Sequence, residues 1–486
     1  MTESHATLDP VSDVDPSSGT PADPSVAFSV DDLLRLTGGR LLARSDRPIR
    51  GAAVDSRLIE PGQLFVALPG ERTDGHRHLG DAVKHGAAAL LVTRQVDDVR
   101  PYGDVSIVRV ADGLVALAAV AAAWRRRFDP IVVGITGSIA KTSTKEAVAT
   151  VLGTTRRTLK SEGNQNNEIG LPLTLLRLGP DDEAAVLEMG MYVGGEIAEL
   201  AAMAEPSIGV VTAVQAVHLS RIGSLEAIER AKGELLEALP ASGTAVLNTD
   251  DPIVDRMDRR TVARPLRYGF GEGADVRAVD VESGGTTGMR FTLRTPVGER
   301  PVTIPTLGRL SVHNAAAGAA VGVAAGMDVD TIATGLEFGW AAPHRVELVR
   351  LRGATVIDDS YNASPGSMRA ALDLLAELPG RHVAVLGEML ELGEAHESGH
   401  LAVGEAAAIV ELLIVVGADA TGIAEGAVAA GLDRSRIHVV PDADAALDAL
   451  VPRLRDADVV LVKASRGIGL DRVVDGLRLS LGEAAR

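Results

Sequence analysis

The apolar positions of this chain fall into short continuous runs, each followed by a stretch with helical spacing. Ile131-Val132-Val133-Gly134-Ile135 is one such run, suited to a strand buried on both faces of a parallel sheet. Behind it, Val148, Val151 and Leu152 fall on one face of a helix. Ala184–Leu187 and Ile208–Val214 are further buried-strand candidates, and Ile228–Leu239 has helical spacing. This repeated strand-then-helix order predicts a parallel sheet with helices on both faces. After Pro343 the rhythm starts again. Thr355–Asp358, His382–Leu386, Leu412–Val416, Ile437–Val440 and Val459–Val462 read as strands with helices between them, a Rossmann-like pattern. Before Pro130 the pattern is mixed, with strand-like runs at Leu64–Leu68 and Ala89–Val92 and helical periodicity at Ala82–Gly86 and Leu114–Arg127. The expected fold class is α/β in three domains: a small N-terminal α/β domain over 26–129, a central parallel-sheet domain over 130–342 and a C-terminal Rossmann-like domain over 343–486. Residues 1–25 are rich in Asp, Pro and Ser and read as a disordered acidic tail.

Composition narrows the function classes. Aromatic residues make up only 2%, so the cores must be built from Ala, Val, Leu and Ile, and stacking platforms for single-stranded nucleic acid are not expected. The net charge of −18 points the same way, because a nucleic-acid partner wants a basic surface. Small anionic ligands stay open, since local basic groups and backbone amides can hold them. The absence of cysteine removes disulfides, thiolate catalysis and Cys-based zinc sites, and fits a reducing compartment. The N-terminus lacks the basic start and apolar segment of a secretory signal. The longest apolar runs are too short to span a bilayer. The expectation is a cytoplasmic protein without membrane insertion.

Six lysines stand against 42 arginines. Such a bias replaces lysine wherever any cation will serve, and leaves it where a compact ammonium or a reactive amine is needed. The six are Lys84, Lys141, Lys145, Lys160, Lys232 and Lys463. Lys141 stands in Gly137-Ser138-Ile139-Ala140-Lys141-Thr142-Ser143, after a buried strand and at the start of a helix. That is the context of a phosphate cradle: backbone amides at a helix N-terminus face the anion, the lysine reaches its terminal phosphates, and the next hydroxyl holds Mg²⁺. The longer general pattern fails here, with Ile135 and Ala140 where it has glycines. A Ser/Thr-rich helix cap with an incidental lysine is the alternative. Ala140 is expected to have a backbone angle that tolerates its methyl group.

Further motifs follow in order along nearly the whole chain. They include Asp55-Ser56-Arg57 with Pro61-Gly62, Asp74-Gly75-His76, Gly163–Pro172, Glu188-Met189-Gly190, His218-Leu219 and Ala231-Lys232-Gly233-Glu234. Later come His313-Asn314, Asp358–Pro365 and Leu386–Gly393. With the shortened loop Gly137–Thr142, this set resembles the Mur ligase family, on the side of its dipeptide-adding members. The resemblance implies an ADP-forming, amide-bond-forming ligase of cytoplasmic peptidoglycan precursor synthesis. It would join D-alanyl-D-alanine to UDP-N-acetylmuramoyl-tripeptide through an acyl phosphate. It also implies domains for the UDP-sugar substrate, for ATP, and a mobile C-terminal domain.

Roles follow from the same resemblance. Lys141 is the phosphate-neutralising ammonium, and Thr142 and Glu188 are Mg²⁺ ligands. His218 is a ligand of a second Mg²⁺, and Lys232 is a lysine carboxylated by CO₂ to a metal-orienting carbamate. Asn314 is an adenine contact, and Arg345 and Asp359 are contacts to the γ-phosphate and ribose. Lys463 is a further candidate to face ATP. Ser56 and Arg57 would contact the UDP moiety, and Asn164, Asn166 and Asn167 the muramoyl-peptide. Taken singly, Glu188 also reads as a solvated loop acid, His218 as a packing histidine, Lys232 as a surface lysine and the asparagines as turn residues.

His396-Glu-Ser-Gly-His400 matches the H-E-x-x-H zinc-protease motif. That motif needs a third ligand and an uninterrupted helix, which Gly399 weakens. A metallopeptidase is therefore not expected. Another Mur-type amino-acid ligase and a non-catalytic nucleotide-binding relative remain as alternatives. The third residue of the accepted peptide stays open, and a monomer is expected.

Overall fold

The computed structural model describes residues 27–70, 73–215 and 222–483. By contacts the chain forms two compact units, one ending at Gly113 and one beginning at Leu114. The expected tail over 1–25 lies outside the described residues.

The first unit is built on a five-stranded sheet in the order β1-β5-β4-β3-β2, where β1 is Arg40–Ala43, β2 Ala52–Ala53, β3 Leu64–Val66, β4 Ala89–Val92 and β5 Ser106–Arg109. Only β1 runs antiparallel to its neighbour. β3 and β4 are buried at every position, as their unbroken apolar runs require.

The second unit carries two sheets. The first contains β6 (Ile131–Thr136), β7 (Thr158–Lys160), β8 (Ala184–Glu188), β9 (Ile208–Val211), β10 (Thr244–Asn248), β11 (Arg264–Gly269), β12 (Val276–Ser283), β13 (Met289–Thr295) and β14 (Gly298–Ile304). Their order is β14-β13-β12-β11-β10-β9-β6-β8-β7. β6 is an interior strand, parallel to its neighbours β8 and β9. The helix Lys141–Gly153 packs on the helix Arg309–Ala324, and a Cβ at Gly318 would press on the Ala147 backbone. This close approach of small residues forms a dense core with few aromatic rings.

The fully parallel sheet expected here is only part of what forms. β12, β13 and β14 are an antiparallel extension. Its physical signature is alternation: in β13, Met289, Phe291 and Leu293 are buried while Arg290 and Arg294 are exposed. One face is solvated, as antiparallel sheets allow.

The last sheet holds β15 (Glu347–Leu351), β16 (Ala354–Asp358), β17 (Arg381–Gly387), β18 (Leu412–Val416), β19 (Ile437–Val440) and β20 (Asp458–Lys463), in the order β15-β16-β20-β17-β18-β19. All but β15 are parallel, so the Rossmann-like pattern is present with an antiparallel edge strand. No helix among the described residues is long and apolar enough to cross a membrane.

Candidate active site

β6 ends at Thr136, and the chain turns through Gly137–Ala140 into the helix beginning at Lys141. The turn is stitched to the chain after β9. Ser138 donates its amide to the Ala213 carbonyl (2.8 Å), and Thr212 Oγ1 donates to the Ile139 carbonyl (2.6 Å). A Cβ at Gly137 would collide with Thr212 Oγ1, so this position must be glycine. Lys141 bends back over the loop, its Nζ donating to the Gly137 carbonyl at 2.8 Å. The helix's first amides have no intrahelical acceptor and open on the same side, which makes the loop an anion cradle.

Ala140 corrects an expectation. Its φ of 64° and ψ of 0° are left-handed, so its methyl group is not in an ordinary backbone region. The cost is about 1–2 kcal/mol, small enough for the surrounding hydrogen bonds to hold the turn.

Thr142 and Glu188 are brought together. Glu188 closes β8 and is buried, accepting from the Thr142 hydroxyl at 2.7 Å and from Asn166 Nδ2 at 2.8 Å. It is not the solvated loop acid that its position alone allows. Among the described residues both partners of this carboxylate are neutral. A buried carboxylate beside a hydroxyl, with no bonded cation, is the hard-oxygen donor set that suits Mg²⁺. Its backbone is held too: the Glu188 amide donates to Ser161 Oγ at 3.2 Å, and the fully buried Lys145 donates to the Ser161 carbonyl at 2.6 Å.

Lys232 lies on the helix Leu225–Glu237 and is buried, not a surface lysine. Burial, with repulsion from Lys141 added, pushes its amine well below the ordinary lysine value. Lys141 is lowered as well, mainly by burial; Glu188 opposes this and Arg345 adds to it. The three charged groups Lys141, Lys232 and Glu188 therefore share one neighbourhood. His218 lies outside the described residues.

Arg345, just before β15, reaches this neighbourhood from the last sheet. Its guanidinium stacks 4.0 Å over the Tyr361 ring. Asp359, just after β16, is bonded by Lys463 Nζ at 2.6 Å. Burial raises the Asp359 carboxyl above its ordinary value despite Lys463 and Arg345, which act against the rise. Lys463 also donates to the Asn362 carbonyl (2.9 Å), so it is committed to this loop.

Asn314 is buried on the helix Arg309–Ala324, where its Oδ1 accepts from Thr144 Oγ1 at 3.1 Å. Asn167 Oδ1 caps the helix Gly170–Leu175 by accepting from the Gly170 amide (2.9 Å), and the Asn164 backbone carbonyl accepts from the Asn166 amide (2.8 Å). The Asn167 side chain thus serves the turn, and that of Asn166 serves Glu188. In the first unit, Ser56 is buried at the start of a short turn and Arg57 is exposed. Asp55 caps that turn; hydrogen bonds from the Arg57 side chain and then its amide hold the carboxyl down to about 2.

The zinc-like motif does form a helix, His396–Ala407, in spite of Gly399. His400 is nevertheless spent. Its Nδ1 lies 2.7 Å from the His396 carbonyl, and its Nε2 accepts the Met389 amide at 2.9 Å. Another His–carboxylate group, His344, Glu347 and Asp358, is closely spaced. Its atoms are engaged by one another, by Ser360 and by Arg478, so it reads as a brace for the Arg345 segment.

Sequence reasoning passed over Asn166 as a partner of Glu188, over Ser161, and over Tyr361 with Arg466. Lysine scarcity had marked Lys145, but spacing gave no sign that it bonds Ser161, 16 positions away.

The model of the Mur ligase family, catalytic domain, matches residues 48–125. The Mur ligase middle domain matches 135–322 and the Mur ligase, glutamate ligase domain, 344–466. The UDP-N-acetylmuramoyl-tripeptide–D-alanyl-D-alanine ligase of Mycobacterium tuberculosis is 40% identical over 87% of this chain and 91% of its own. The ligase of that name from Escherichia coli is 37% identical over 93% and 99%. Among solved structures, MurF from Acinetobacter baumannii aligns with a TM-score of 0.84 at 28% identity, covering 95% of this chain and all of its own. MurF from Thermotoga maritima in complex with ADP aligns with a TM-score of 0.78 at 29% identity, covering 88% and 97%.

Proposed function

The chain belongs to the Mur ligase family, and from that premise we propose that it joins D-alanyl-D-alanine to UDP-N-acetylmuramoyl-tripeptide, converting ATP to ADP and phosphate. The reading divides the chain near 129 and 342 into a UDP-substrate domain, an ATP domain and a C-terminal domain. Its observation of greatest weight is the meeting at one loop of Lys141, the Thr142–Glu188 pair and, from the last sheet, Arg345.

In this reading the loop amides and Lys141 hold the ATP phosphates, and Arg345 adds a second positive charge beside them. Thr142 and Glu188 hold Mg²⁺, which when bound offsets phosphate charge. Asp359 and Asn314 face the ribose and base. The peptide carboxylate attacks the γ-phosphorus, ADP leaves, and an acyl phosphate forms. The dipeptide amine then attacks the acyl carbon, and phosphate leaves with its bridging oxygen. Crowded negative charge at both steps is why cations are gathered here.

Lys232 is read as a carbamate, a ligand with His218 for a second Mg²⁺. A neutral amine is the species that reacts with CO₂, losing a proton as the N–C bond forms. Its depressed basicity and lack of a hydrogen-bonded partner among the described residues favour that chemistry. Ser56, Arg57, Asn164, Asn166 and Asn167 are assigned to the nucleotide-sugar peptide. ATP and UDP-linked substrates place the enzyme in the cytoplasm.

A phosphate-release assay with UDP-N-acetylmuramoyl-tripeptide tests the reading. Release should require D-alanyl-D-alanine and fail with single amino acids. Release with a single amino acid and not with the dipeptide would assign the chain to another branch of the family.

A further inference from the structure

The last sheet reverses its strand order beside β20. The chain builds β17, β18 and β19 outward and then returns to lay β20 between β16 and β17. In open α/β sheets ligands bind outside the carboxyl ends of the strands at such a reversal. The loops found there are Ala464–Gly467 after β20 and Glu388–Leu390 after β17. They are locked together: Ser465 donates its amide to the Glu388 carbonyl (3.0 Å), and Leu390 donates its amide to Ser465 Oγ (2.9 Å).

Arg466 projects from this rigid base and is exposed. Its Nη1 donates to the Tyr361 hydroxyl at 2.7 Å, and its guanidinium lies 4.8 Å over the same ring that carries Arg345 at 4.0 Å. Among the described residues no carboxylate forms an ion pair with it. Glu388, on the facing loop, is turned to His396 (3.4 Å). On the helix that follows, Asp471–Leu481, Arg472 and Arg478 are by contrast both paired with carboxylates. Tyr361 holds the guanidinium in place without neutralising it, which leaves a positioned fork for a planar anion.

We propose that Arg466, aligned by Tyr361, receives the terminal carboxylate of the incoming dipeptide. The proposal rests on the dipeptide-ligase reading and names its specificity contact. An extended dipeptide spans roughly 7 Å, so its carboxylate lies well away from the reacting amine and needs a receptor of its own. Arg345 would stay with the phosphate that is leaving, while Arg466 holds the far end of the nucleophile.

The test uses the full chain with D-alanyl-D-alanine and with its C-terminal amide, which lacks the carboxylate charge. Wild-type enzyme should show a KM for the amide roughly 10–100-fold above that for the dipeptide, the range expected for a charged hydrogen-bonded contact. Arg466→Met should raise the dipeptide KM by a similar factor, treat dipeptide and amide alike, and leave the ATP KM unchanged; Arg466→Lys should recover part of the loss. A variant that keeps the wild-type preference for the dipeptide, or loses ATP affinity equally, overturns the proposal. So does a wild-type enzyme indifferent to amidation, a measurement that needs no variant to fold. No dipeptide-dependent phosphate release from the wild type would instead overturn the functional reading, and the receptor with it.

Discussion

Thr142 and Glu188, 46 positions apart, meet across a 2.7 Å hydrogen bond where the phosphate loop joins the end of β8. The contact joins the first turn of the loop helix to a neighbouring strand, and it buries a carboxylate beside a hydroxyl.

Glu188→Gln keeps the shape of this contact and removes its charge. The expected result is a loss of roughly 10²–10³ in kcat with the unfolding temperature little changed. Thr142→Val should raise the Mg²⁺ concentration needed for half-maximal rate. Steady-state assays over a Mg²⁺ series check both, and a Glu188→Gln variant with wild-type rate would remove Glu188 from the site.

Lys232 makes a prediction about stability. Its folded value is depressed, so the folded chain binds fewer protons than the unfolded chain between the two values. The resulting destabilisation is full below the folded value and vanishes above the ordinary lysine value. Lys232→Met should therefore unfold at a higher temperature than wild type in CO₂-free buffer. The gap should close as pH rises toward the alkaline range. Activity of Lys232→Ala should be low and partly restored by short carboxylates.

Lys463→Met should leave the buried Asp359 carboxylate without its ammonium. Breaking a buried pair this way costs about 3–5 kcal/mol. Asp359 is already raised by burial, and losing Lys463 raises it further. The folded variant then holds its proton more tightly than the unfolded chain, so its stability falls as pH rises past the ordinary aspartate value. Denaturant unfolding at pH 5 and pH 8 should show the smaller deficit in acid.

Ala140→Gly relieves a left-handed alanine but adds freedom to the unfolded chain. The two effects leave a net stabilisation of about 0.5–1 kcal/mol, with activity preserved. Thermal unfolding measures it. Destabilisation would mean that the methyl group makes a contact that outweighs its strain.

Buried parallel strands were the most legible part of the sequence. Ala89–Val92 and Leu412–Val416 form with the bounds their apolar runs predict, and the half-exposed edge strand Ile437–Val440 also keeps its expected bounds. β13 and β14 were missed because their period-two pattern sits between turn residues in a stretch read for parallel strands. The positive φ at Ala140 was illegible because alanine carries no signal for it. Partners across the fold, such as Lys145 with Ser161 or Arg466 with Tyr361, follow from strand order, which local pattern does not encode.

Oxygen transfer tests the central claim most directly. UDP-N-acetylmuramoyl-tripeptide labelled with ¹⁸O in the reacting carboxylate would be turned over with ATP, Mg²⁺ and D-alanyl-D-alanine, and the released phosphate weighed by mass spectrometry. Ligation through an acyl phosphate predicts one ¹⁸O in each phosphate and a matching amount of pentapeptide product. Unlabelled phosphate, or label transfer without the dipeptide in the product, would contradict it.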